Sequence, residues 1–95
     1  MTDNSDTDAG AGTERVWLVE REYTDKGMVT IVYASTDGQR YLQRQLSEQM
    51  VVRSDVTAGK DADTDRLEPT PEGERERYAA EASRMAERHS PDDAV

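Results

Sequence analysis

Two short runs of β-branched and aromatic residues stand near the start of the chain. They cover residues 15–23 (RVWLVEREY) and residues 28–35 (MVTIVYAS). The four residues at 24–27 (TDKG) separate them and place Gly where a type I turn followed by a bulge needs a left-handed residue. The pattern therefore predicts a β-hairpin.

The next segment, residues 39–46 (QRYLQRQL), fits two structures. The residues in front of it, 35–38 (STDG), are typical of a second hairpin turn, which would make 39–46 a third antiparallel strand. The alternative is a helix that begins with a T-x-x-Q capping box at 36–39, and the Gln, Arg and Leu content favours that helix on propensity. Because a two-stranded hairpin is barely stable alone, we favour a three-stranded meander over 14–46, followed by a short helix or turn at 47–52.

The C-terminal part carries the clearest helical signals. Thr70 stands where an N-cap belongs, Pro71 takes the first helical position, and Ser90-Pro91 ends the segment. Small and apolar residues recur at helical spacing and form one narrow stripe at Tyr78, Ala82, Met85, Ala86 and His89. The pattern predicts a helix over residues 70–89 that packs on the sheet through this stripe.

The length of 95 residues has room for one small domain of the α+β class. Residues 1–13 are rich in Asp, Thr, Ser and Gly, and this composition predicts a disordered acidic tail. The domain is predicted over 14–90, with an acidic connection at 53–69 between sheet and helix. Residues 91–95 are predicted as a second disordered tail.

The charge balance narrows the possible settings and partners. Asp and Glu number 21 against 12 Lys and Arg, which gives a net charge of −9. This surplus argues against general attraction to nucleic acid or to an anionic membrane surface. The N-terminal residues are acidic rather than basic and apolar, and no apolar stretch approaches about 18 residues, so we expect a cytoplasmic protein.

The absence of cysteine removes three classes of function together. Without Cys there is no disulfide framework, no thiolate zinc site and no cysteine nucleophile. The only histidine, His89, lies near the predicted C-terminus of the last helix, where the helix dipole stabilises its charged form without any catalytic role. We find no arrangement of base and nucleophile and therefore expect no enzyme activity and no cofactor.

The composition and two sequence blocks support a resemblance. The blocks are VWLVEREYTDKG at residues 16–27 and RERYAAEASRMAERH at residues 75–89. With its acidic surplus and only two lysines, Lys26 and Lys60, the chain resembles small, uncharacterised acidic proteins of haloarchaea. The resemblance implies a cytosol of multimolar salt, and it carries no activity and no functional residue.

One acidic motif suggests a cation site. Asp61, Asp63 and Asp65 have the D-x-D-x-D spacing that begins an EF-hand calcium loop, and Glu72 falls at the twelfth position. The sixth position, which needs Gly for the sharp turn, is Arg66. We therefore interpret the segment as a solvated acidic loop and expect no metal.

A second candidate is single-stranded nucleic acid binding. Arginine and aromatic residues on a small antiparallel sheet are what such binding uses, and the candidates are Trp17, Arg40, Tyr41 and Arg44. Because large apolar residues are few, we expect the aromatic side chains Trp17, Tyr23, Tyr33 and Tyr41 to be in the core instead.

The function that the sequence favours is a non-catalytic module that binds another protein or itself. The small core and the open strand edge that such a sheet must have support this interpretation. The alternative is the RNA or single-stranded DNA binder that uses Trp17, Arg40, Tyr41 and Arg44.

The acidic composition also leads to a prediction about salt. We expect the melting temperature to rise between dilute buffer and molar KCl, because salt screens repulsion among the carboxylates and favours burial of apolar surface. Thermal unfolding followed by circular dichroism measures this. A melting temperature that is the same in both solutions would contradict the prediction.

Overall fold

The structure is a computed structural model that describes residues 12–24, 26–53 and 56–95. Its elements are β1 Thr13–Tyr23, β2 Met28–Ala34, β3 Arg40–Ser47, α1 Glu48–Arg53, β4 Gly59–Asp63, β5 Glu68–Pro69 and α2 Arg75–Arg88, with 3-10 turns at Thr64–Arg66 and Glu72–Glu74. The strands form one antiparallel sheet in the order β4-β1-β2-β3-β5, and the C-terminal helix α2 packs on it. The predicted α+β class is confirmed.

The central meander β1-β2-β3 is the part that the hydrophobic pattern predicts. The third element is a strand, so the helical alternative for residues 39–46 is wrong, and the short helix after it is confirmed as α1. The second turn is held by Asp37, whose carboxylate accepts hydrogen bonds from the Ser35 hydroxyl at 2.6 Å and the Gln39 amide at 2.9 Å. The bond to Asp37 occupies the Gln39 amide, which a capping box at 36–39 would have bonded to the Thr36 side chain. These bonds therefore favour a turn over a helix start.

A β-bulge interrupts β1 between Leu18 and Glu20. Trp17 pairs with Ala34 and Glu20 with Val32, so Trp17 and Glu20 share one face although they are three residues apart. Strict alternation from Trp17 would instead place Glu20 on the opposite face. Every β1 residue after the bulge therefore lies on the face of the sheet opposite to the one that strict alternation predicts.

The helix α2 covers one face of the sheet, here called the helix face. Tyr78 and Ala82 are its buried residues, and Ala82 packs with Trp17 and Ala58. Both alanines are fully buried, and their small side chains let the helix lie close to the indole ring. Among the described residues, no helix is long and apolar enough to cross a membrane.

The start of the helix differs from the prediction of 70–89 with a Thr70 cap. Thr70 continues the strand direction of β5, and its amide donates to the Gln39 carbonyl at 3.0 Å. Its hydroxyl oxygen is buried and has no partner among the described residues. The α-helix begins only at Arg75, after the 3-10 turn. Thr70 cannot begin it, because its backbone continues β5 and is hydrogen-bonded to Gln39 at the edge of the sheet.

The opposite face of the sheet, here called the cavity face, carries the larger part of the core. Its buried side chains come from the first two strands and the segment before and within β4: Val16, Leu18, Val29, Ile31, Tyr33, Val56 and Ala62. Trp17 and Tyr33 are buried as expected, whereas Tyr41 is half-buried and Tyr23 is 56% exposed. Burial of Tyr23 is therefore a wrong prediction, because Tyr23 lies at the far end of its strand.

The predicted acidic connection at 53–69 contains two strands that the sequence pattern did not indicate. β4 pairs with β1 over five residues, from Thr13↔Asp63 to Trp17↔Gly59, and β5 pairs with the start of β3. In β4 the buried Ala62 and the half-buried Lys60 alternate with the exposed Asp61 and Asp63. The alternation is real, but Ala and Asp have low strand propensity, so pairing with β1 decides the structure.

The two predicted tails have different outcomes. Residues 1–11 lie outside the described residues, and Thr13 already belongs to β1. Residues 91–95 differ from the predicted disordered tail because they lie along the segment before β4. The Ala58 amide donates to the Asp93 carbonyl at 2.8 Å, and the Val95 amide donates to the Val56 carbonyl at 2.9 Å.

The turn between β2 and β3 yields a stability prediction. Gly38 has a φ of +73°, and a Cβ there would overlap the Arg75 carbonyl oxygen and lie 2.9 Å from the Ala79 Cβ. We expect Gly38→Ala to lower the free energy of unfolding by at least about 2 kcal/mol, through left-handed strain and displacement of the helix. Urea unfolding measures this change.

Gly73→Ala is the matched control, because a Cβ at Gly73 meets no atom within 4 Å. We expect its effect to stay within about 0.5 kcal/mol, as for ordinary surface substitutions. Equal urea midpoints for the Gly38 and Gly73 variants would contradict the close approach of turn and helix.

Candidate functional site

The cavity face contains a cavity of about 230 Å³. Two strands of the meander, the helix α1 and the segment that leads into β4 surround it. Its lining side chains are Ile31, Tyr33, Arg44, Leu46, Met50, Val56, Thr57 and Lys60. Most of this lining is apolar, and the two cations are its charged groups.

The cations belong to a larger positive cluster, defined here as Arg44, Lys60 and Arg66. A smaller adjoining cavity of about 120 Å³ is lined by all three. Among the described residues, no carboxylate forms an ion pair with any member of the cluster. Asp61 and Asp63 also line the smaller cavity, so carboxylates lie near the cluster without forming an ion pair with it.

The pKa of Lys60 reflects this surrounding. Burial lowers the pKa of its ammonium group below the ordinary value, and the charges of Arg44 and Arg66 lower it further. The Lys60 Nζ lies 5.7 Å from the centre of the Tyr33 ring, which gives a cation–π contact. The cations are therefore close enough to repel one another.

Tyr33 supports the floor of the cavity. Its hydroxyl donates to the Thr57 carbonyl at 2.9 Å and fixes the segment that leads into β4. Burial raises the pKa of the phenol, and this effect outweighs the lowering by that hydrogen bond and by the charges of Arg21 and Arg44. Tyr33 is therefore neutral at pH 7 and acts as a structural donor.

Arg21 adds a fourth positive charge on the cavity face, opposite Ile31 in the β1–β2 pairing. Its Nη2 donates to the Val95 carbonyl at 2.7 Å. Its Nε is buried and has no hydrogen-bond partner among the described residues. Arg21 therefore adds positive charge behind the cavity and contacts the C-terminal residues.

Two acidic side chains form ion pairs with arginines outside the cluster. Glu20 pairs with Arg77 of α2 at 3.1 Å on the helix face. Asp61 pairs with Arg15 at 2.6 Å, and this bond holds the pKa of the Asp61 carboxyl below its ordinary value. Neither carboxylate is therefore an ion-pair partner of the cluster.

The four residues proposed from sequence for nucleic acid are not brought to one surface. Trp17 is 7% exposed and lies under α2, and the half-buried Tyr41 ring lies 6.2 Å from the Tyr78 ring. Arg40 and Arg44 are exposed on β3, and Arg44 faces the cavity. The aromatic and cationic groups are therefore separated by the sheet itself.

The carboxylates with EF-hand spacing are also spread over different elements. Asp61 is in β4 and pairs with Arg15, Asp65 lies in the first 3-10 turn, and Glu72 lies in the second. Over the ranges that the structure describes, no three His, Asp or Glu side chains are placed to hold a metal ion.

Sequence reasoning missed Lys60 and Arg66 as members of a site. The available signal was weak: Lys60 is one of two lysines, and Lys60 and Ala62 alternate with Asp61 and Asp63. That alternation becomes informative only when β4 is known to be a strand beside β1.

A second candidate feature is the outer edge of β3. Beyond Arg40 and Tyr41, which pair with β5, no described strand pairs with this edge. The Ser35 amide donates to the Arg40 carbonyl at 3.1 Å, and antiparallel alternation from that pair directs the backbone groups of Gln43 and Gln45 outward. Both residues are exposed.

The edge at β4 is different. The Gly59 amide there donates to the Pro91 carbonyl at 2.9 Å, so the C-terminal residues occupy part of this edge. The rest carries the exposed Asp61 and Asp63, and charged side chains hinder pairing with another strand. In the part of the chain that the structure describes, only the edge at β3 has unpaired outward backbone groups on uncharged residues, Gln43 and Gln45.

With this geometry described, comparison with known proteins adds one finding. The model of DUF7967, a family of unknown function, matches residues 10–95. The chain belongs to this family. The DUF7967 match includes all the strands and helices described above, and comparisons with curated proteins and with solved structures find no match.

Repulsion within the cluster leads to a prediction for Lys60→Met. We expect the free energy of unfolding to rise, by less than about 1 kcal/mol because solvent screens part of the repulsion. A lowered pKa means that the folded state disfavours the charged form, so wild-type stability increases as pH rises through that pKa toward the value of free lysine. The advantage of the variant should therefore shrink at alkaline pH.

Urea unfolding at neutral and alkaline pH measures both effects. Lys26→Met is the matched control, since Lys26 is exposed in the first turn and should show no change. A lower urea midpoint for the Lys60 variant would mean that the cation–π contact with Tyr33 outweighs the repulsion.

Proposed function

We propose that the protein is a non-catalytic interaction module that binds an extended segment of another protein along the outer edge of β3. The observation that carries this proposal is the edge beyond Tyr41, which no strand of the described residues pairs with, in a sheet whose other edge is partly occupied and acidic. A strand added there gains main-chain hydrogen bonds to Gln43 and Gln45.

Charge supports a partner of acidic character. β3 carries Arg40 and Arg44 and no acidic residue, whereas β4 carries Asp61 and Asp63. Opposite charges on neighbouring strands contribute roughly 0.2–1 kcal/mol per pair, so acidic side chains beside the arginines favour binding. The composition supports a setting of multimolar salt, where such pairs add specificity while backbone bonds supply most of the affinity.

A second copy of this chain fits the edge less well. In an antiparallel β3–β3 pair that uses the outward groups, Arg44 lies opposite its own copy or one diagonal position away. Like charges in such positions are destabilising. Each copy also carries a net charge of −9, which opposes association further.

Photocrosslinking in cells that express the full chain tests the proposal. With benzoylphenylalanine at position 45, we expect a crosslink to an extended acidic segment of another protein, identified by sequencing the crosslinked peptide. The same probe at position 63 on the opposite edge should give no such product. The crosslink should resist nuclease treatment.

A proline substitution separates edge pairing from chance proximity. Gln45→Pro removes one outward amide, and proline is tolerated on edge strands, so crosslinking from a probe at position 43 should fall at least about tenfold. Asp63→Pro is the matched control, because Asp63 already has a φ of −60°. Crosslinks only to a second copy, only to RNA, or equally strong after Gln45→Pro would overturn the proposal.

A further inference from the structure

The cavity on the cavity face is not needed for strand addition at β3, because its lining comes from side chains rather than from the edge backbone. It combines two features that together suit a ligand. One side is apolar, and the other holds positive charge with no carboxylate partner among the described residues. These features indicate a ligand that has an apolar part and a negatively charged group.

The apolar side is formed by three elements. Ile31 of β2 and Val56 before β4 are 2% and 8% exposed and form a fixed floor. Leu46 of β3 is half-buried, and Met50 of α1 is 49% exposed at the rim. Methionine adapts its shape to irregular partners, so the rim can close on a short chain or a ring.

The positive side is formed by Arg44 and Lys60, with Arg66 behind them in the adjoining cavity. Their mutual repulsion is unfavourable for folding and is relieved by one anion between them. Charge-assisted hydrogen bonds from guanidinium and ammonium groups to carboxylate or phosphate are among the strong ones. The arrangement therefore favours an anionic group at this position.

We propose that this cavity binds a small amphipathic anion. Arg44 and Lys60 hold its carboxylate or phosphate group, and Ile31, Leu46 and Met50 contact its apolar chain or ring. The volume of about 230 Å³ lies below the roughly 300–1,000 Å³ of sites for drug-sized ligands, so the ligand is small. A polyanion such as RNA is disfavoured because the surrounding surface of this acidic chain repels it.

Titration of the full chain with defined probes, followed by amide and side-chain NMR, tests this proposal. The probes are hexanoate, phenyl phosphate, inorganic phosphate and neutral hexanol. We expect saturable shifts at Ile31, Arg44, Thr57 and Lys60 with hexanoate, phenyl phosphate or both. The one that binds more tightly identifies the head group as carboxylate or phosphate.

Two variants and one control locate the binding. Arg44→Gln and Lys60→Gln should each weaken binding about tenfold, as expected for the loss of one charge-assisted contact. Arg88→Gln, at the exposed end of α2, should leave it unchanged. In the wild-type chain the bound anion should also raise the pKa of Lys60, a readout that does not depend on how the variants fold.

Three results would overturn the proposal. The first is the absence of saturable shifts with either amphipathic anion. The second is binding of hexanol as tight as that of hexanoate, which would remove the role of charge. The third is binding of inorganic phosphate as tight as that of phenyl phosphate, which would remove the role of the apolar side.

Discussion

The bulge in β1 is the constraint on which both faces of the sheet depend. Without it, Glu20 would fall on the cavity face, beside the positive cluster, and Arg21 would move to the helix face. The extra residue reverses this arrangement, so that Glu20 pairs with Arg77 on the helix while Arg21 joins the cavity face. A single backbone irregularity thus decides which face Glu20 and Arg21 occupy, as bulges that redirect side chains commonly do.

The positive cluster has an energetic cost. Placing cations near one another without an ion-paired carboxylate opposes folding, and a domain of this size has little stability to spare. The core offsets the cost with small, tightly packed contacts, such as Ala82 and Ala58 against Trp17. Functional sites are where proteins commonly tolerate such unfavourable arrangements, which is why the cluster supports a binding role.

The parts of the fold that local patterns specify were predictable, and the parts that depend on distant pairing were not. The hairpin and the C-terminal helix follow from strand propensity, turn residues and helical spacing. The third strand was favoured because a two-stranded hairpin is barely stable alone, although the propensity of its residues favoured a helix. β4 could not be predicted, because its Ala and Asp residues become a strand only beside β1. The candidate cavity was missed for the same reason, because Lys60 reaches it from that strand. Arg44 was a candidate in the sequence analysis, but for binding nucleic acid.

The β1–β4 pairing also affects how the chain assembles. Arg15 and Asp61 meet across 46 positions of sequence, whereas the meander strands are joined by short turns. Closing a long loop costs more conformational entropy than closing a turn, so local hairpins form before distant pairs. We therefore expect the meander to form before β4 pairs with β1, so that Lys60 joins the cavity after Ile31, Tyr33 and Arg44. The cavity is complete only when β4 has paired with β1.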